Sequence, residues 1–172
     1  MLDTTGKNRR KIMTEPVLKS QKALVVLGCP EVPVQQALAI HITHHLQQGG
    51  TEVLVTGNPS VLGLLKVSDP QKIYIKNTMV LETCIAEVVE KKRSGDLCVV
   101  FAHNDAAIAY AATMRYLLPA CRLVVIIFGK DPEPLAAEIN FPCETIIEKA
   151  VHNPAVLKKK INEVFGWAAS RT

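Results

Sequence analysis

Cys29 and Glu31 stand two residues apart between an apolar run, Leu24 to Leu27, and a helical pattern that begins at Pro33. A thiol ahead of a helix has its thiolate favoured by the helix dipole, and a nearby carboxylate opposes that. Cys29 is therefore the candidate nucleophile or sulfur carrier; the alternative is a small residue that fits a tight strand-to-helix turn. His103, Asn104 and Asp105 form a second group, suited to acid–base work or to hydrogen-bonding a polar ligand. Asn104 or Asp105 also suits a helix N-cap. Asn58 and Ser60, Lys130 and Asp131, and His152 with Asn153 follow other apolar runs in the same way. His41 and His45 have the i, i+4 spacing of a metal pair, but no glutamate lies between them in the H-E-x-x-H manner. They fall at the margin of a stripe formed by Val34, Leu38 and Ile42, and no metal site is expected there.

These residues converge only if the elements around them form one sheet. Apolar runs at 23–28, 51–56, 97–102, 122–128 and 143–148 read as strands. Helical patterns alternate with them at about 33–48, 60–66, 79–93, 105–118 and 133–139, and from Pro154 to about Ala169. Ser60 is the expected cap of the second helix and Asn77 or Thr78 of the third, whose stripe is Leu81, Ile85, Val88 and Val89. Lys72 to Lys76 is a candidate short edge strand. Strict alternation implies an α/β fold, a three-layer α/β/α sandwich of Rossmann or flavodoxin type with a mainly parallel sheet of five to six strands. Residues 1–21 read as a flexible basic arm and 22–172 as one domain.

If the first strand is central, with order 2-1-3-4-5 for the five main strands, the switch point falls between Gly28–Glu31 and His103–Asp105. Gly28, Cys29, Glu31, Asn58, His103, Asn104 and Asp105 are then the expected lining of a ligand site. G-x-G-x-x-G and Walker A motifs are both absent. Pro30 and Pro33 lack the N–H groups of a phosphate cradle, and Glu31 adds negative charge at the helix start. A conventional nucleotide site is not expected at this loop, although the loops at Asn104 and Lys130 remain open to an anionic group, and no cofactor is named.

The net charge of +4 is local: residues 1–22 carry six basic and two acidic side chains, and the remainder balances at 14 of each. A neutral body argues against a nucleic-acid surface outside the arm. The lysine run 158–160 reads as a solvated helix face. Five cysteines at irregular spacing, with no C-x-x-C, read as free thiols in a reducing compartment. No apolar run approaches the roughly 20 residues that span a bilayer, and no secretory h-region follows the N-terminal charges. A cytoplasmic protein is expected.

The ordered set Gly28-Cys29-Pro30-Glu31, Pro33-Val34-Gln35, Asn58-Pro59, Ser68-Asp69-Pro70, Asn104-Asp105-Ala106-Ala107, Ile126-Ile127-Phe128 and His152-Asn153-Pro154-Ala155 resembles an archaeal family, mainly from methanogens, catalogued as a domain of unknown function. The likeness runs from about residue 22 to the last helix. It implies a compact three-layer α/β/α fold and carries no activity, although it makes a methanogen coenzyme a natural candidate ligand. Two functions remain open on this reading. One is small-molecule binding at the carboxyl edge of the sheet, with Cys29 reactive and His103 or Asp105 as proton donor. The other is an interaction module, a homodimer or assembly subunit, in which the same residues are packing and caps.

Overall fold

Every side chain of 97–102 is buried, a pattern that demands cover on both faces of a strand. The computed structural model, which describes residues 21–167, supplies that cover. Its first half runs β1 (Lys22–Val26), α1 (Val34–Gln48), β2 (Glu52–Gly57), α2 (Pro59–Ser68), β3 (Thr78–Val80) and α3 (Leu81–Val89). Its second half runs β4 (Leu97–Ala102), α4 (Asp105–Leu117), β5 (Arg122–Gly129), α5 (Pro132–Ala137), β6 (Glu144–Lys149) and α6 (Ala155–Phe165). The six strands form one parallel sheet of order β3-β2-β1-β4-β5-β6.

Alternate strand residues feed two cores. Val25, Leu27, Val99, Phe101, Val124, Ile126 and Phe128 meet α1, α2 and α6 on one face, while Leu24, Val26, Cys98, Val100, Leu123, Val125 and Ile127 meet α3, α4 and α5 on the other. This is the expected α/β/α sandwich, and its five main strands stand in the expected order. Most of the arm read at 1–21 lies outside the described residues, as do 168–172.

Three local expectations are corrected. The sixth strand is Thr78–Val80, which pairs with Val55–Gly57, and Lys72–Lys76 is a loop. The cause is Asp69, only 5% exposed, whose carboxylate accepts the N–H groups of Ile73 (2.9 Å), Tyr74 (2.8 Å) and Ile75 (2.7 Å). Donors so engaged cannot enter a ladder. Next, α3 begins at Leu81 behind an uncapped Val80 rather than at a capping Asn77 or Thr78, and its buried stripe is Leu81, Cys84 and Val88, with Val89 exposed. Finally, α2 is capped by Asn58 instead of Ser60: the Asn58 Oδ1 accepts the N–H of Val61 at 2.9 Å.

A fourth expectation is also corrected: the last helix, expected to run to about Ala169, ends at Phe165. Gly166 takes φ 67°, its N–H donates to the Glu163 carbonyl and that of Trp167 to Asn162, a Schellman C-cap. The free edge of β6 is covered from α6, where Lys160 donates to the Ile147 carbonyl at 2.8 Å and pairs with Glu148 at 2.7 Å. Covered edges of this kind resist strand addition by another chain.

Burial pushes the Asp69 carboxyl up, but its three backbone donors outweigh that and hold it below the ordinary 3.8. Its contribution to stability is therefore present above pH 3.8 and lost as pH falls through the lower folded value. Asp69→Ala is expected to lower the thermal midpoint near neutrality, with the deficit relative to wild type shrinking in acid. A deficit that stays constant across that range contradicts this role.

Candidate functional site

The turn from β1 into α1 is built on a buried amide. Gln35 is fully buried in the first turn of α1, on the same side as Leu38, Ala39 and Ile42. Its Oε1 accepts the Gly28 N–H at 3.1 Å, and its Nε2 donates to the carbonyls of Gly28 at 3.1 Å and Cys29 at 3.3 Å. One side chain thus satisfies three backbone groups of a strand end that the sheet has released. The N–H of Val34 donates to the Val151 carbonyl at 3.1 Å, which ties the same turn to the loop after β6.

With the turn fixed, its neighbours follow. Cys29 is exposed, and the Asn58 amide donates to its Sγ at 3.2 Å while the other end of that amide caps α2. Asn104 caps α4 in the same way, its Oδ1 accepting the Ala107 N–H at 3.1 Å. Asp105 opens the first turn of α4, exposed. His103 lies between the loops, its side chain only 3% exposed. A Cβ at Gly28 would come within 3.2 Å of the His103 Cε1, a tight contact from which the imidazole would have to yield by a few tenths of an ångström, so glycine here lets the ring approach closely. Phe128 packs on the other side, ring centroids 5.5 Å apart. Gly129, at φ 127°, turns the chain beside the His103 Cβ.

Neither ring nitrogen of His103 has a hydrogen-bond partner among the described residues, and both are shut off from solvent. The nearest charge is the Glu31 carboxylate, 3.4 Å from Nε2 on a side chain 67% exposed. That is within ion-pair reach without the geometry of a hydrogen bond. Gly28, Cys29, Glu31, Asn58 and His103 thus meet at the β1–β4 junction, where the strand order reverses, with Asn104 and Asp105 following directly in the chain. Among the described residues, no hydrogen bond or ion pair joins Lys130, Asp131 or His152 to this group.

The other cysteines have different surroundings. Cys84, Cys98 and Cys121 are buried and Cys143 partly so. Burial pushes all four thiols up, Cys121 to about 11 despite the Arg115 guanidinium, which leaves them inert core residues. The rings of His41 and His45 make packing and polar contacts with α6 and with Trp167 just beyond it. The His41 Nε2 lies 2.7 Å from the Asn162 Oδ1, and His45 stacks on Trp167, which stacks in turn on Phe165. The pair docks the end of α6 on α1. Burial holds both imidazoles below their ordinary value, at His41 against the pull of its Asn162 bond.

The architecture and spacing match a described family model, "Domain of unknown function (DUF1890)", over residues 24–164. The chain belongs to this family. A curated relative, the uncharacterized protein MJ0452 of Methanocaldococcus jannaschii, is 28% identical over 146 residues, which is 83% of this chain and 95% of that protein. A solved structure, "Structure of MT0777", superposes with a TM-score of 0.79 at 39% identity, covering 87% of this chain and all of that one. The DUF1890 fold is thereby placed, and neither relative's name carries an activity. No helix among the described residues is long and apolar enough to cross a membrane.

Gln35 and Phe128 were not among the expected site residues. Gln35 had a signal: a polar residue at the head of the stripe that continues through Leu38 and Ile42. The contact of Phe128 with His103 depends on β5 lying beside β4, and no local pattern gives that. Gln35→Ala leaves the buried N–H and carbonyl of Gly28 and the part-buried carbonyl of Cys29 without this partner and is expected to cost about 2–4 kcal/mol in urea unfolding. A loss below about 0.5 kcal/mol, the range of an ordinary surface change, contradicts the clamp.

Proposed function

We propose that the protein binds a polar small molecule at the carboxyl edge of its sheet, over the β1–β4 switch point, with Cys29 as a reactive thiol in the site. One observation carries this reading: His103 is buried at that point with both ring nitrogens unpartnered. Such a group costs about 1–3 kcal/mol, which a ligand offering a donor or acceptor recovers. Glu31 is the residue that must swing away, and its exposed side chain is free to do so. The Asn58 amide at the Cys29 sulfur and the α4 N-terminus behind Asn104 supply further polar groups. In an enzymatic version Cys29 is the nucleophile or sulfur carrier, and His103 or Asp105 the proton donor. Five free cysteines support a reducing, cytoplasmic setting. The likeness to a methanogen protein supports a small polar coenzyme as ligand.

A second reading, the homo-oligomeric interaction module, draws on a different observation. Val67 is 78% exposed and Ile73 58% exposed, with Leu64 and Tyr74 beside them in sequence at 40% and 39%. Exposed apolar clusters of this kind mark contact surfaces.

Native mass spectrometry of protein purified from a methanogen host separates the two. A reproducible extra mass, lost in His103→Phe while the melting temperature holds, is the expected result, since a phenyl ring can take the imidazole's place against Phe128. A bare protein at a multiple of 18.8 kDa contradicts ligand binding and favours the module.

A further inference from the structure

At the opposite end of α2 from the Asn58 cap, the helix and the 69–78 loop enclose a cavity of about 220 Å³. Leu62, Leu65 and Ile75 give it apolar walls, and the side chains of Lys66 and Lys72 line it as well. Neither ammonium lies within ion-pair distance of a carboxylate among the described residues. Asp69 is also on the wall, its carboxylate ionised and held by the three loop N–H groups, so the cavity sets two ammonium groups against one carboxylate and its formal balance is positive.

Two costs have no explanation in packing. Gly63 sits in the middle of α2 and lines the cavity, and a Cβ built there meets nothing within 4 Å. Glycine in a helix interior is worse than alanine, and here no close contact demands it. What its missing side chain does is leave the cavity open along the helix backbone. Lys72 holds φ 52°, a left-handed conformation that costs a residue with a side chain. That turn, closed by the Lys72 N–H on the Asp69 carbonyl at 3.0 Å, keeps Lys72 on the cavity rim with Lys66.

We infer that this cavity binds a small amphipathic anion, its apolar body against Leu62, Leu65 and Ile75 and its anionic head between Lys66 and Lys72. At about 220 Å³ the space is smaller than the roughly 300–1,000 Å³ of drug-sized sites, so the ligand is no larger than a one- or two-ring carboxylate. The site is separate from the switch-point crevice and does not depend on it.

The test is a ¹H–¹⁵N NMR titration of the full chain with 2-naphthoate and with its neutral isostere 2-naphthamide. Saturable shifts are expected at amides of residues 62–66 and 69–78, with naphthoate binding about tenfold more tightly than the amide, from two exposed charge contacts. Lys66→Ala with Lys72→Ala removes that preference. Gly63→Met, which fills the space with a good helix former, abolishes binding of both probes without lowering the melting temperature. His103→Phe leaves binding unchanged, so failure here and failure at the crevice are distinguishable. Equal binding of the two probes overturns the anion, and Gly63→Met binding like wild type, or shifts located elsewhere, overturns the cavity.

Discussion

The Gln35 amide holds the turn on which the polar edge of the sheet depends. A parallel strand that ends at its carboxyl edge releases N–H and C=O groups into a loop, and buried groups of this kind need partners. At β1 the loop contains Pro30 and Pro33, which reduce the donors available to it. Gln35 reaches back from the first turn of α1 and takes the Gly28 N–H and both the Gly28 and Cys29 carbonyls. The backbone of Gly28 is thereby set against the His103 ring, and Cys29 is left facing outward beside Asn58. Without the clamp, the strand-to-helix turn keeps only its tie from Val34 to Val151, and the imidazole, still packed on Phe128, loses the fixed position of Gly28 on its other flank.

The molecule treats its polar groups unequally, and the contrast is informative. Asp69 collects three donors, Gln35 satisfies three backbone groups, and Asn58 and Asn104 each cap a helix. His103, in the same class of loop and more than nine-tenths buried, has none. Natural folds leave few such groups unpaired, and the exceptions concentrate where a ligand or a reaction completes them. The cavity at the far end of α2 shows a milder form of the same departure, in a glycine without a packing reason and a lysine in a left-handed turn.

The sandwich was legible because its signals are redundant. Fully apolar runs such as 97–102 and 122–128 alternate with helical stripes, and Gly28, Gly57 and Gly129 punctuate their ends. The order of the five main strands followed from placing β1 at the centre. What failed was decided by single side chains. Lys72 to Lys76 has a strand-like look, but the carboxylate of Asp69 takes the donors that a ladder would need. Asn58 displaced Ser60 as cap because Pro59 fits the first helical position. At the crevice, the residue types and their convergence at the switch point could be read from loops that follow neighbouring strands. The burial of His103 could not, because it depends on Phe128 and Gly129 of β5 and on Gly28 beyond the end of β1 closing round it. The role of Gln35 was available in outline, as a polar break at the head of the α1 stripe, but a buried amide there has several backbone groups within reach.

The most direct test concerns the His103 ring itself. Long-range ¹H–¹⁵N spectra of histidine-labelled protein report the protonation and hydrogen bonding of each of the five imidazoles. In the protein alone, both His103 nitrogens are expected to show no hydrogen bond. Adding a small-molecule extract of methanogen cells is then expected to shift the His103 ring nitrogens while those of His41, His45 and His152 stay in place. A His103 ring that is already hydrogen-bonded in the protein alone, or that ignores the extract, contradicts a site at the switch point.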